Sequence, residues 1–169
     1  MEIYNKYLNQ LENRYRSSWD VKKNLKIDDL NIDLLTTFSA KFEKYVLTKK
    51  ANIGSANTTI HDIVLAVPDG IELNQLKKFE DIGKNFILNE VKPEYGHIAT
   101  EVKIVLMGNE FSKDIIKYAE RYRYTKSYLL GLKGWSMLIY VLVDLKKQKV
   151  YAHKRMNAKE REIYIPGSV

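Results

Sequence analysis

Between Glu2 and Ser17, the apolar side chains Tyr4, Leu8, Leu11 and Tyr15 recur at helical spacing among Asn, Gln, Glu and Arg, which predicts an amphipathic helix. At Val21 the period shortens. Val21, Lys23, Leu25 and Ile27 fall on one side of an extended segment, and Asp28-Asp29 predicts a turn into a second strand through Leu30, Ile32 and Leu34. Ser39-Ala40-Lys41 reads as a short connection to a third strand from Glu43 to Ile53. A helix followed by three consecutive strands predicts an antiparallel meander. Thr58 to Val67 can add one more strand before Pro68-Asp69-Gly70 breaks the chain.

Leu73, Leu76, Phe79, Ile82, Phe86 and Ile87 then form an apolar stripe at helical spacing, ended by Lys92-Pro93. Alternation returns from Ile98 to Met107, apolar on both faces in its second half, as in a strand with a buried far end. Ser112 is placed to cap a helix running through Tyr122, with Phe111 and Ile116 as the two halves of a hydrophobic staple. Tyr124 to Leu130 follows as a strand, so strand, helix and strand are joined by a crossover of the length a parallel pair requires. Trp135 to Leu145 and Val150 to Lys154 read as a final hairpin around Lys146-Lys147-Gln148-Lys149. Residues 157–169 read as a loosely held tail. Gly131 and Gly134 are expected as turn residues. The pattern predicts an α/β (α+β mixed) protein with a central mixed sheet flanked by helices, in the order α-β-β-β-(β)-α-β-α-β-β-β. With 169 residues and neither repeat nor linker, residues 1–169 are expected as a single domain.

Charge adds location to this outline. The net charge is +7, yet residues 1–112 hold 15 Lys and Arg against 16 Asp and Glu, while residues 113–169 hold 13 against 5. The whole excess sits in the last third, as a surface for a polyanion would require and as an ordinary solvated face also allows. Cysteine is absent, which removes disulfides and thiolate metal sites. With no signal-like N-terminus, a cytoplasmic location is expected. The longest apolar run, Met137 to Val143, is seven residues, against about 20 for a spanning helix, so no membrane partner is expected. His61, His97 and His153 are far apart with no second ligand at metal-site spacing.

The order of helix, three strands, helix, strand, helix and strand resembles the core of the PD-(D/E)XK restriction-endonuclease-like superfamily. In that fold the second strand carries an Asp and the third a (D/E)-x-K. Here Asp33 stands on the second expected strand, and Thr48-Lys49-Lys50 on the third puts Lys50 at the lysine position. Thr48 stands where the second carboxylate belongs. Glu12 matches the acidic residue that some members place on the first helix. A hydrolytic Mg²⁺ site needs several carboxylate oxygens, with the lysine polarising the water, and Thr48 offers one neutral hydroxyl. The resemblance therefore implies a degenerate site with Asp33, Lys50 and Glu12 as its remnants and Asp33 as the metal ligand if there is one, unless Glu12 or Glu43 supplies the missing charge. Glu101-Val102-Lys103 repeats the E-x-K letters on another strand, where solvent exposure is the economical expectation. The stretches Tyr45 to Ala51 and Leu130 to Trp135 also resemble motifs of a family of short bacterial proteins without an assigned function.

Tyr118, Tyr122, Tyr124 and Tyr128 interleave with Arg121, Arg123 and Lys126, the mixture of stacking rings and cations that holds single-stranded nucleic acid. The same residues also suit a helix end followed by a strand. The functional expectation is a non-catalytic or vestigial nuclease-like domain, without a cofactor, whose basic C-terminal third contacts nucleic acid through Arg121, Arg123, Lys126 and Tyr124. One rival is an active Mg²⁺-dependent nuclease with a migrated carboxylate. Another is a small self-associating protein, a homodimer built through Trp135 and the final hairpin.

Overall fold

The computed structural model describes residues 2–27, 30–45, 52–68, 70–94 and 96–167, with backbone alone for 42–45 and 52–55. Among the described residues the elements are α1 (Glu2–Tyr15), β1 (Asp20–Ile27), β2 (Leu30–Tyr45), β3 (Asn52–Ala66), α2 (Leu73–Glu90), β4 (His97–Gly108), α3 (Lys113–Arg121), β5 (Tyr124–Ser127), β6 (Trp135–Asp144), β7 (Lys149–Ala152) and α4 (Ala158–Glu162). The fold is a mixed α/β architecture around one seven-stranded sheet in the order β1-β2-β3-β4-β6-β5, with β7 also paired to β6. β1, β2 and β3 are antiparallel, β4 runs parallel to β3 and β6 parallel to β4, and β5 and β7 close the sheet antiparallel to β6.

Period-2 alternation in the central strands splits the core into two layers. Leu34, Val64, Val105, Ile139 and Val141 face α1, which buries Tyr4, Tyr7, Leu11 and Tyr15 against them. Ile63, Ile104, Leu106, Leu138 and Leu142 face α2 and α3 through Leu76, Ile87, Ile115 and Ala119. Where they are covered on both sides, β6 and the C-terminal halves of β3 and β4 read as nearly continuous apolar runs. α2 lies so close to the sheet that a Cβ at Gly83 would meet Leu138 Cδ1 at 2.6 Å. The α3 start follows the expected chemistry, with Ser112 Oγ accepting from the Ile115 amide at 3.3 Å.

Three expectations are corrected. The meander has two long strands after β1, because β2 continues straight through Ser39-Ala40-Lys41 and pairs with β3 from Leu34 to Tyr45; the strand expected over 43–53 is the end of one and the start of the next. Ser39-Ala40-Lys41 reads as a connection by its small and polar residues, although Phe38, Ala40 and Phe42 carry the alternation across it. Tyr124 to Leu130 is not the parallel partner of β4. It forms the short antiparallel edge strand β5 and then a tight turn, and the parallel partner is β6. The stretch 157–167 is tied down: Arg14 Nη1 donates to the carbonyls of Ile163 (2.8 Å) and Ile165 (2.6 Å), and Tyr7 Oη to that of Tyr164 (2.7 Å).

Candidate functional site

Of the nuclease-type candidates, Glu12 and Asp33 lie among the described residues, on α1 and β2. Glu12 lies on α1, where Lys23 Nζ at 2.5 Å and Arg16 Nη2 at 2.7 Å hold its carboxylate. Their hydrogen bonds push its pKa below the usual carboxylate range. Asp33 lies on β2 and accepts from the Ala66 amide at 2.7 Å, at the C-terminal end of β3. Thr48 and Lys50 lie outside the described residues, as does the Glu43 side chain. No hydrogen bond or ion pair joins Glu12 to Asp33 among the described residues. None of their His, Asp and Glu side chains forms a group of three or more able to hold a metal ion.

The E-x-K strand, expected to face solvent, is internal. Lys103 is 3% exposed and stands beside Asp62 in the β3–β4 register, and burial pushes the Glu101 carboxyl upward. Asp62 is the hub of this layer. Its Oδ2 accepts from Tyr15 Oη at 2.5 Å and from Tyr164 Oη at 2.6 Å, and the Lys103 ammonium lies 5.8 Å from the Tyr164 ring centroid. Burial and the nearby carboxylate hold both phenols far above their ordinary pKa, so they act as donors. With two phenols on one oxygen and a tyrosine ring against the lysine, this cluster holds the N-terminal helix, the sheet and the C-terminal segment together. Its parts are 47 and 102 residues apart in sequence, and only the unusual burial of charge could have signalled it.

A polar cleft of about 280 Å³ opens near the N-terminal ends of β3 and β4, lined by Lys41, Thr59, His61, Glu90, His97 and Thr100 among others. Its histidines are occupied. His97 Nδ1 donates to the Lys133 carbonyl at 2.8 Å, and its Nε2 is hydrogen-bonded with Thr100 Oγ1 at 2.9 Å. His61 bonds Thr37 Oγ1 at 3.0 Å and packs edge-on against Phe86, and burial pushes its pKa down to about 4.

The four nucleic-acid candidates do gather, at the β5 edge, but not on one face. Arg121 ends α3 and is exposed. Arg123 precedes β5 and is exposed beside His153. Strand alternation then turns Tyr124 and Lys126 to the α2 face, half-buried. Cations cap the rings along this edge: Lys84 over Tyr124 (5.8 Å), Lys126 over Tyr128 (5.5 Å), Lys149 over Tyr151 (5.1 Å) and Arg155 over Trp135 (4.9 Å). Tyr118 and Tyr122 are more structural. Tyr118 donates to the buried Glu80 at 2.5 Å and stacks on Tyr122.

The turn from β5 to β6 is the least expected feature. Leu129 and Leu130 adopt φ of 49° and 54°, a left-handed conformation that costs a non-glycine residue roughly 1–2 kcal/mol. Leu129, Leu130 and Leu132 are 64%, 101% and 83% exposed. The turn is nevertheless closed by its own backbone, with Gly131 N and Lys133 N donating to Tyr128 O and Gly134 N to Gly131 O. Gly134 seats it on β4: its φ is +76°, and a Cβ there would lie 2.3 Å from the Ile98 carbonyl oxygen.

No curated protein and no solved structure matches the chain. One family model does match, over residues 3–164, from α1 to the tyrosine that closes the Asp62 hub. The chain belongs to the family described as Domain of unknown function (DUF8052).

Proposed function

We propose that this protein is a non-catalytic binding module that contacts nucleic acid along the β5 and β7 edge of its sheet. The observation that carries the reading is the set of cation-capped rings there, Tyr124 and Tyr151 on the α2 side, Trp135 on the α1 side and Tyr128 beside the turn. A ring face that accepts a cation also stacks a base once the cation swings aside, and the displaced cation meets a phosphate. The excess of 13 basic over 5 acidic residues in residues 113–169 supplies the attraction. The order of α1, the meander, α2 and β4 supports a relation to nuclease-like folds, and Thr48 in place of the second carboxylate favours a vestigial one.

The test is fluorescence anisotropy with a labelled single-stranded oligothymidylate. Binding through about four phosphates weakens by ~50-fold between 50 and 200 mM salt, and charge reversal at Arg121, Arg123 and Lys126 lowers affinity further. Absence of binding at 50 mM salt overturns the reading. Mg²⁺-dependent cleavage of a plasmid would overturn its non-catalytic part.

A further inference from the structure

We infer that the turn over residues 128–134 is a prong that inserts its leucines into an anionic lipid bilayer. Apolar side chains at a turn tip are ordinary when single, but here three leucines of a four-residue stretch stand in solvent together. The turn is also built to hold them there. Five hydrogen bonds close it, from Tyr128 N to Gly134 O and through Gly131, Leu132, Lys133 and Gly134. His97 Nδ1 adds a further bond to the Lys133 carbonyl, and the Gly134 contact with Ile98 leaves no room for movement toward β4. Two leucines keep left-handed backbone that asparagine or glycine would adopt at lower cost. An arrangement that is strained, rigid and exposed is expected where the exposed groups have a partner.

Charge and size select that partner. Lys133 lies within the prong, Lys126 rests over the Tyr128 ring, and Arg155 over the Trp135 ring just behind it. Leucines at the tip, with Tyr128, Trp135 and the cations flanking the turn, suit entry into a bilayer through an anionic headgroup layer. A second copy of this chain fits less well. Three leucine side chains present a few hundred Å² at most, against roughly 800 Å² per partner in a stable interface, and the same cations would face each other. Neither apolar tip nor basic collar is sufficient alone, so binding requires both.

Co-sedimentation with vesicles of phosphatidylcholine containing about a third phosphatidylserine tests this, with pure phosphatidylcholine vesicles as the comparison. The intact chain binds the anionic vesicles, and the triple variant Leu129→Ser, Leu130→Ser, Leu132→Ser binds at least tenfold more weakly with an unchanged circular dichroism spectrum. The inference stands apart from nucleic-acid binding, because the vesicles carry none and the triple variant keeps the cation-capped rings; its affinity for oligothymidylate stays as in the parent. No binding to anionic vesicles overturns the inference. So does equal binding by the triple variant, which would make the attraction purely electrostatic, and so does a dimer in light scattering that the triple variant abolishes.

Discussion

Tyr164 donates its hydroxyl to Asp62 at 2.6 Å across 102 residues of sequence, onto the same carboxylate oxygen that Tyr15 reaches at 2.5 Å. The relationship ties the last turn of the chain to its first helix through the middle of the sheet, with every participant buried.

Removing one donor tests that link. Tyr164→Phe deletes a hydrogen bond to a charged acceptor at nearly constant volume and is expected to cost about 1.5–3 kcal/mol in urea unfolding. Asp62→Ala leaves both phenols buried without an acceptor and is expected to cost more, about 3–5 kcal/mol. A Tyr164→Phe variant within about 0.5 kcal/mol of the parent would show that the hub contributes nothing net.

Acid sensitivity follows from two histidines. Burial lowers the His61 pKa to about 4. Burial, then Arg123, Lys154 and Arg155, lower that of His153. Below about pH 6.5 the unfolded chain takes up protons that the folded chain refuses. The stability each contributes is therefore full above that pH and is lost as pH falls toward the folded value. Denaturant midpoints should decline between pH 6.5 and 4, and the double variant His61→Gln, His153→Gln should decline less over that window. An unchanged slope in the double variant would assign the acid loss to carboxylates alone.

The Glu12 carboxylate acts in a lower window. Lys23 and Arg16 lower its pKa, so its contribution is present above about pH 4.3 and vanishes as pH drops through the folded value. Glu12→Gln should reduce stability near neutrality and converge with the parent in strong acid. Persistent separation of the two curves at low pH would mean that packing, not charge, is lost.

The β5–β6 turn separates two kinds of glycine. Gly134→Ala meets the Ile98 carbonyl at 2.3 Å, and Gly131→Ala meets nothing closer than Ser127 Oγ at 3.9 Å. Both pay for positive φ, about 1 kcal/mol, but only the first must also displace β4, so its melting temperature should fall well below that of the second. Conversely, Leu130→Asn relieves left-handed strain and should stabilise by about 0.5–1 kcal/mol. Equal effects at the two glycines would contradict the close seating of this turn.

Much of the architecture was legible because it is local. Helix spacing marked α1, α2 and α3. Ser112 with its staple marked where α3 begins, alternation marked β4, and an uninterrupted apolar run marked β6. The boundary between β2 and β3 was not, since the small and polar residues Ser39 to Lys41 look like a connection even though Phe38, Ala40 and Phe42 continue the alternation through them. Leu129 and Leu130 read as the end of a strand because β propensity says nothing about a backbone turned left-handed by its neighbours. For the site, the sequence put Arg121, Arg123, Lys126 and Tyr124 within six residues, so their proximity was assured, but strand pleating decided that they would not share a face.

What the sequence determined by itself is the class of fold and the concentration of positive charge in its last third, both consequences of residue periodicity and count. Tertiary structure alone decided that Asp62 meets Tyr15 and Tyr164, that Lys103 is internal, and that three leucines stand in solvent. Each of these depends on which strand lies next to which, and strand order is set by long-range burial that no local window contains.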